Sequence, residues 1–395
     1  MTNARIQKDL FDPLPIGSLE IKNRIAFAPT GMGAAGPEGS VSDQTICHYT
    51  ARAKGGAGLI IVEHSICTRR HWKAAMPILS FHSSDSLPMM KDLADAIHHY
   101  GAKAVVQLGL GLGRQTTPKA TGTQLVAPSP IPFSVPQGSA PKGLRHYEGQ
   151  QGATPRELET DEIIEMEHEF VAAVSRIKRA GFDGIEIHGA HGYLLADFIS
   201  PLCNHRSDRY GGSFKKRLTL PLNLIEKTRG KVGSKFVLGF RISGDEHVRG
   251  GLTLEDTLVL LPRLVDAGLD YIHLSSGRQE ALSHLFPKEE GQMLPEAEAI
   301  KNAVDVPVIC PNIHSPALAR RIIEEGRVDV VSLSRSLLAD PDWPLKTKEG
   351  KTDDIRRCIF CYTCLNALFG GLGTRCSVNP DVGRERFLAH CQPFE

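Results

Sequence analysis

The 395-residue chain has almost no charge of one sign to spare: 46 Lys and Arg stand against 45 Asp and Glu, a net charge of +1. A protein built to hold nucleic acid or an anionic membrane surface carries a basic excess, so both partners are excluded. Long apolar runs are missing as well. None approaches the roughly 18 residues that cross a bilayer, and the opening MTNARIQKDLFD has no basic-then-apolar leader, which predicts a cytoplasmic protein. A dinucleotide loop is also absent. Gly109-Leu-Gly-Leu-Gly-Arg114 has the glycines, but RQTTPKATG follows where a phosphate would need the N-terminus of a helix. Aromatic residues make up only 6% of the chain, so a cage for a methylated ammonium group is not evident.

Short apolar strands alternating with amphipathic helices fill the space these absences leave. The spacing predicts a hairpin turning at Gly17-Ser18, then strands at 24–28, 58–62, 103–107, 184–188, 236–242, 271–275, 306–310 and 328–332. Helices are expected from Ser42 or Asp43 to Lys54, near 87–100, from about Asp161, at 214–229 and at 254–267. Eight such units are the pattern of a (β/α)8 TIM barrel. Residues 109–152, rich in Pro, Gly, Ser and Thr, read as a loop excursion over the mouth of the barrel. The loop 276–294, carrying Arg278, His284 and Lys288, is expected to line a substrate pocket.

The chemistry concentrates in IEIHGAHGYLLADFISPLCNHRSDRYGGS, residues 185–213. Its strand reads as apolar packing that delivers His188, His191 and Tyr193 to the carboxyl end, where barrels place their catalytic groups. The run 204–213 and Arg217 follow at once. Together with HGAHGYLL they resemble the signature of the Old Yellow Enzyme family of FMN-dependent oxidoreductases. The resemblance implies FMN as cofactor, with His188 and His191 polarising a small-molecule substrate and Tyr193 donating a proton. It further implies that Ala28, Pro29, Thr30 and Gly31 lie against the flavin, Gly31 standing where the family often has Thr or Cys. His64 closes the second strand, Gln107 meets the pyrimidine edge, and Arg241 lies beside flavin N1 and O2. Asn312, Ser334 and Arg335 meet the phosphate, the first two at places where the family often has glycine.

Nine cysteines are an odd number for a disulfide framework, and four crowd into one tract: Cys358, Cys361, Cys364 and Cys376. From spacing alone either an iron–sulfur cluster or a structural zinc fits. After an Old Yellow Enzyme barrel, the tract resembles the subgroup of 2,4-dienoyl-CoA reductase, 2-enoate reductase and trimethylamine dehydrogenase, which implies a 4Fe-4S cluster. Cys47, Cys67, Cys203, Cys310 and Cys391 read as ordinary thiols. The expected division is an FMN-binding barrel over residues 1–345 and a cluster-binding extension over 346–395.

Relatives in that subgroup continue into a region binding FAD and NAD(P)H. Here nineteen residues follow Cys376, which implies a deleted or separate module, or another electron carrier. A homo-oligomer is implied by analogy. The favoured reaction is reduction of an activated C=C bond in an enoate, enone or enoyl/dienoyl thioester, with hydride from FMN N5 and a proton from Tyr193. The alternatives are a methylated-amine dehydrogenase and a non-catalytic electron-carrier subunit.

Overall fold

A computed structural model describes residues 8–68, 77–115, 124–144 and 148–388. The leader reading at residues 1–7, parts of the excursion and Cys391 lie outside the described residues. Eight parallel strands close a barrel in the order β3 (Ile25–Phe27), β4 (Leu59–Ile66), β5 (Lys103–Gly109), β8 (Gly184–Gly189), β9 (Val237–Ser243), β10 (Tyr271–Ser275), β11 (Val308–Cys310) and β12 (Val330–Leu333). Closure comes from β12 pairing with β3, Val331 opposite Ile25. The (β/α)8 TIM barrel read from the sequence is the observed fold.

The hairpin β1 (Leu14–Ile16) and β2 (Leu19–Ile21) turns at Gly17, whose φ of 55° is the left-handed conformation a tight turn needs. Its Leu14, Ile16 and Ile21 pack with Ala26, Leu59, Ile61, Val105, Val237 and Ile309. The floor of the barrel is therefore apolar and sealed, and polar side chains inside the strands collect towards the mouth. At the base of the excursion, β6 (Val126–Ala127) pairs with β7 (Arg156–Glu157).

Two boundaries differ from expectation. β4 does not stop at Glu63-His64, because a bulge between Val62 and Ser65 lets pairing with β5 resume as far as Ile66. The helix expected over 214–229 is two, Phe214–Arg217 and Thr219–Val232, broken at Leu218. Cys47 also departs from the reading: it is disulfide-bonded, not a free thiol.

The segment after the last strand is fastened to the helix Asp43–Lys54. The Arg52 guanidinium and the Nδ1 of His48 both reach Glu385 Oε1, at 2.6 and 2.8 Å, and Gln44 donates to Oε2. These cationic and polar partners hold the Glu385 carboxyl far below its ordinary range although burial pushes the other way. Replacing Glu385 with Ala leaves Arg52 buried without its counter-charge and should cost about 3 kcal/mol at neutral pH. A depressed folded-state pKa stabilises above the unfolded value, near 4.5, and that contribution is lost as pH falls. Urea unfolding at pH 7 and pH 3 checks both parts; a Glu385→Ala difference that grows on acidification contradicts them.

Candidate active site

His188 is the last side chain of β8 but one, and Arg241 and His273 stand beside it in register on β9 and β10. Beyond the strand, His191 adopts φ 66° and Tyr193 precedes the short helix Leu194–Ile199, which folds the loop back over the mouth. The rings meet: His188 lies 4.9 Å from His191 and 5.1 Å from Tyr193, centroid to centroid. His64 joins them at 4.6 Å from His188 and 4.9 Å from Tyr193. It reaches them because residue 109 is glycine: a Cβ there would lie 2.2 Å from His64 Nε2.

Burial among like-signed neighbours keeps these imidazoles neutral. Desolvation, then the proximity of other histidines and of Arg241, holds His188 and His191 well below the ordinary value, and burial lowers His64 to about 4. The Ala190 N–H donates to His188 Nδ1, which puts the His188 proton on Nε2. His191 Nε2 pairs with Ser275 Oγ at 2.7 Å. Burial raises Tyr193 above its ordinary value, opposed by a hydrogen bond from Gln279 and by Arg241. The cluster thus presents neutral N–H and O–H donors, not cations.

Sequence reasoning treated the strands as apolar packing, and here the structure corrects it. Glu186, fully buried in β8, accepts from Gln107 Nε2 (2.7 Å), Tyr271 Oη (3.0 Å) and His273 Nδ1 (2.8 Å), while His273 Nε2 pairs with Ser332. Burial opposes the charge on Glu186, but His273, Arg241 and Gln107 outweigh it and lower its pKa. Desolvation keeps His273 itself low, so Glu186 carries the charge and the imidazole is neutral. A signal was available: Glu186 and His188, or Tyr271 and His273, are two apart and share the inward face of a strand. Gly239 makes the arrangement possible, since a Cβ there would fall 2.0 Å from the Tyr271 ring.

The other residues expected at the flavin lie around this core. Gln107 is turned to Glu186, and Arg241 is buried with its Nε lacking a hydrogen-bond partner among the described residues. Ala28 accepts from Thr30 Oγ1, which also pairs with Ser334 Oγ at 2.8 Å, so the loop 28–31 through Pro29 is tied to the loop after β12. Glu63, raised to about 8 by burial, accepts from the Met32 N–H just beyond Gly31. Asn312 has φ 60°, the conformation a glycine would adopt there, and its side chain is engaged with the Gln292 N–H. Arg335 stacks over Phe360 and Tyr362 and donates to Pro287 O; its Nη1 is buried without a partner among the described residues. Arg278 is not pocket-facing: fully buried, it pairs with Asp197, Glu246 and Glu280 behind the Tyr193 helix.

Cys358, Cys361, Cys364 and Cys376 line a single cavity with Arg335 and Tyr362. Phe360 and Tyr362, between the first three cysteines, adopt φ 53° and 59°, strained for bulky residues, and this turns the three thiols towards one side. Among the described residues no three His, Cys, Asp or Glu side chains converge closely enough to hold a single metal ion.

Comparison with known proteins gives this geometry its family. The description "NADH:flavin oxidoreductase / NADH oxidase family" matches residues 9–354. The chain belongs to that family. An NADH oxidase of Thermoanaerobacter brockii is 42% identical over 384 residues, 95% of this chain and 56% of that protein. A cinnamate reductase of Clostridium sporogenes is 34% identical over 403 residues, 96% of this chain and 58% of its own. The solved structure of histamine dehydrogenase from Rhizobium sp. 4-9 superposes with a TM-score of 0.84 at 26% identity, covering 96% of this chain and 53% of that one. The chain therefore spans little more than half the length of these relatives. The Old Yellow Enzyme resemblance and its iron–sulfur subgroup are borne out, and the protein is a flavin-dependent oxidoreductase that takes FMN.

In this family member the Gly239–Tyr271 contact supports the buried Glu186 centre. Gly239→Ala should lower stability by about 2 kcal/mol through overpacking. Denaturant unfolding measures it, and a midpoint equal to wild type contradicts the packing described.

Proposed function

We propose that the barrel reduces the electron-poor C=C bond of an α,β-unsaturated acid, ketone or thioester. The observation that carries this reading is the convergence of three neutral hydrogen-bond donors, His188, His191 and Tyr193, at the barrel mouth beside Arg241. FMN fits here because the buried Arg241 retains an unpartnered N–H; Arg241, Gln107 and the backbone of 28–31 would hold its ring, and Asn312, Ser334 and Arg335 its phosphate. When bound, FMN supplies hydride to the β-carbon. His188 Nε2–H and an N–H of His191 then hold the activating carbonyl, where negative charge develops, and donors fixed in advance stabilise that charge most. Tyr193 gives its proton to the α-carbon, and Gln279, donating to the phenolic oxygen, stabilises the tyrosinate left behind.

The four cysteines fit a 4Fe-4S cluster better than zinc. Tetrahedral zinc draws four sulfurs to about 3.8 Å from one another, on Zn–S bonds of about 2.3 Å. A cubane takes each thiolate on a different iron and spaces them more widely, in keeping with thiols that share a cavity without converging on one point. Burial raises Cys364 to about 12, a value that a bound cationic centre would reverse. The cluster would supply one-electron exchange with a separate or deleted FAD/NAD(P)H-binding module, or another carrier. On this reading residues 1–345 form the FMN barrel and 346–395 the cluster extension of a cytoplasmic homo-oligomer.

Likeness in shape to a histamine dehydrogenase favours amine oxidation as the second reading. Three of the four rings at the mouth are imidazoles, however, and they offer N–H donors where an ammonium substrate needs aromatic faces.

Tyr193→Phe should slow reoxidation of the reduced protein by an unsaturated thioester about 100-fold, with FMN and iron content unchanged. Wild-type rates in that variant remove Tyr193 from the chemistry. Anaerobically reconstituted protein should hold about four iron and four sulfide per chain; zinc, or neither metal, rules out the cluster.

A further inference from the structure

The cysteine extension touches the barrel at a place that its own anchoring does not require. It is already held by Glu385 on Arg52, by Asn379 Nδ2 on Leu338 O (2.9 Å) and by Tyr362 Oη on Phe286 O (2.8 Å). Yet Thr374, 1% exposed, sends two further hydrogen bonds into the loop after β3: its N–H to Met32 O at 2.9 Å and its Oγ–H to Gly31 O at 2.7 Å. From the other side Glu63 Oε2 takes the Met32 N–H at 2.8 Å. The loop is gripped between β4 and the extension.

The same contact accounts for glycine at position 31. A Cβ on Gly31 would lie 3.2 Å from Leu368 Cδ2, and one on Gly33 would lie 3.1 Å from Leu368 Cδ1 and 3.2 Å from the Gly373 Cα. Leu368, on the short helix Thr363–Phe369 that carries Cys364, fills the room a side chain at 31 would use. Thr374 is two residues before Cys376. Both ends of the grip are thus one helical turn or less from a cysteine of the cavity.

We infer that Thr374 and Leu368 are positioning residues through which the cysteine extension sets the loop Gly31–Met32, so that the state of the cysteine cavity and the surroundings of the flavin are coupled by direct contact. The inference rests on the proposed FMN and cluster sites and adds a link between them. A displacement of Cys364 or Cys376 moves a side chain packed on Gly31 or a hydrogen bond to its carbonyl. A substituent at 31, in turn, presses on the helix that carries Cys364.

The test uses the full chain after anaerobic reconstitution. Thr374→Val removes the Oγ–H donor but keeps shape and backbone N–H. It should raise the FMN dissociation constant about fivefold, the loss expected for one neutral hydrogen bond, and shift the flavin absorption maximum with iron content unchanged. Thr374→Ser should restore both. Wild-type FMN affinity and flavin spectrum in T374V overturn the inference. If T374V loses iron, Gly31→Ala decides: its methyl meets Leu368 without altering the extension, so the EPR spectrum of the reduced cluster should change, and an unchanged spectrum overturns the inference. Wild-type protein that takes up no iron refutes the cluster reading itself. FMN affinities of wild type and T374V on that same material still judge the Thr374 contact, so the two failures are told apart.

Discussion

One buried carboxylate constrains the catalytic end of this barrel. Glu186 has no water to solvate it, and an ionised group in such a place persists only where donors and cations surround it. Gln107, Tyr271 and His273 donate to it from β5 and β10, and Arg241 on β9 supplies opposite charge. Four strands are thereby locked in register at one level. The next level up, where His188 leaves β8 beside Arg241, inherits that alignment. The apolar floor sealed by the hairpin matters for the same reason, because it confines the polar interior to the mouth.

Electrostatics at the mouth follow from this arrangement. Arg241 is held by attraction to Glu186 and in turn suppresses protonation of His188 and His191. Neutral imidazoles donate without placing full cations beside a flavin, and they leave the positive charge on the arginine. Tyr193 remains protonated for the opposite reason, since burial disfavours its anion. One ion pair and general desolvation therefore set three protonation states, all in the form that a carbonyl-polarising, proton-donating site requires.

Much of this was legible in the chain. The hairpin at Gly17, the strand Tyr271–Ser275 and the Ser42 cap were readable because each depends on local chemistry: a positive φ, an apolar run and an N-cap hydroxyl. His188, His191 and Tyr193 stood out as polar groups after an apolar strand. Glu186 and His273 did not, because a strand surrounded by helices reads as uniformly buried, and only the inward period of two marks them. The bulge that carries β4 through His64 depends on pairing with β5, and the glycine at 109 that admits the His64 ring gains its meaning only when the strands are side by side. Spacing alone marked the four cysteines. It did not show that they share a wall with Arg335, which sequence reasoning had assigned to the phosphate end of the flavin.

The central claim is that the mouth gives hydride and proton to an unsaturated carbonyl compound. The most direct measurement is an anaerobic flavin-absorbance experiment with both redox states of the purified protein, the reduced form mixed with an α,β-unsaturated acid or thioester and the oxidised form with di- and trimethylated amines. The account predicts that the flavin band at oxidised wavelengths returns with the unsaturated compound and that amines leave the oxidised spectrum unchanged. Bleaching by an amine, with no reoxidation by any unsaturated acid or thioester, would contradict it.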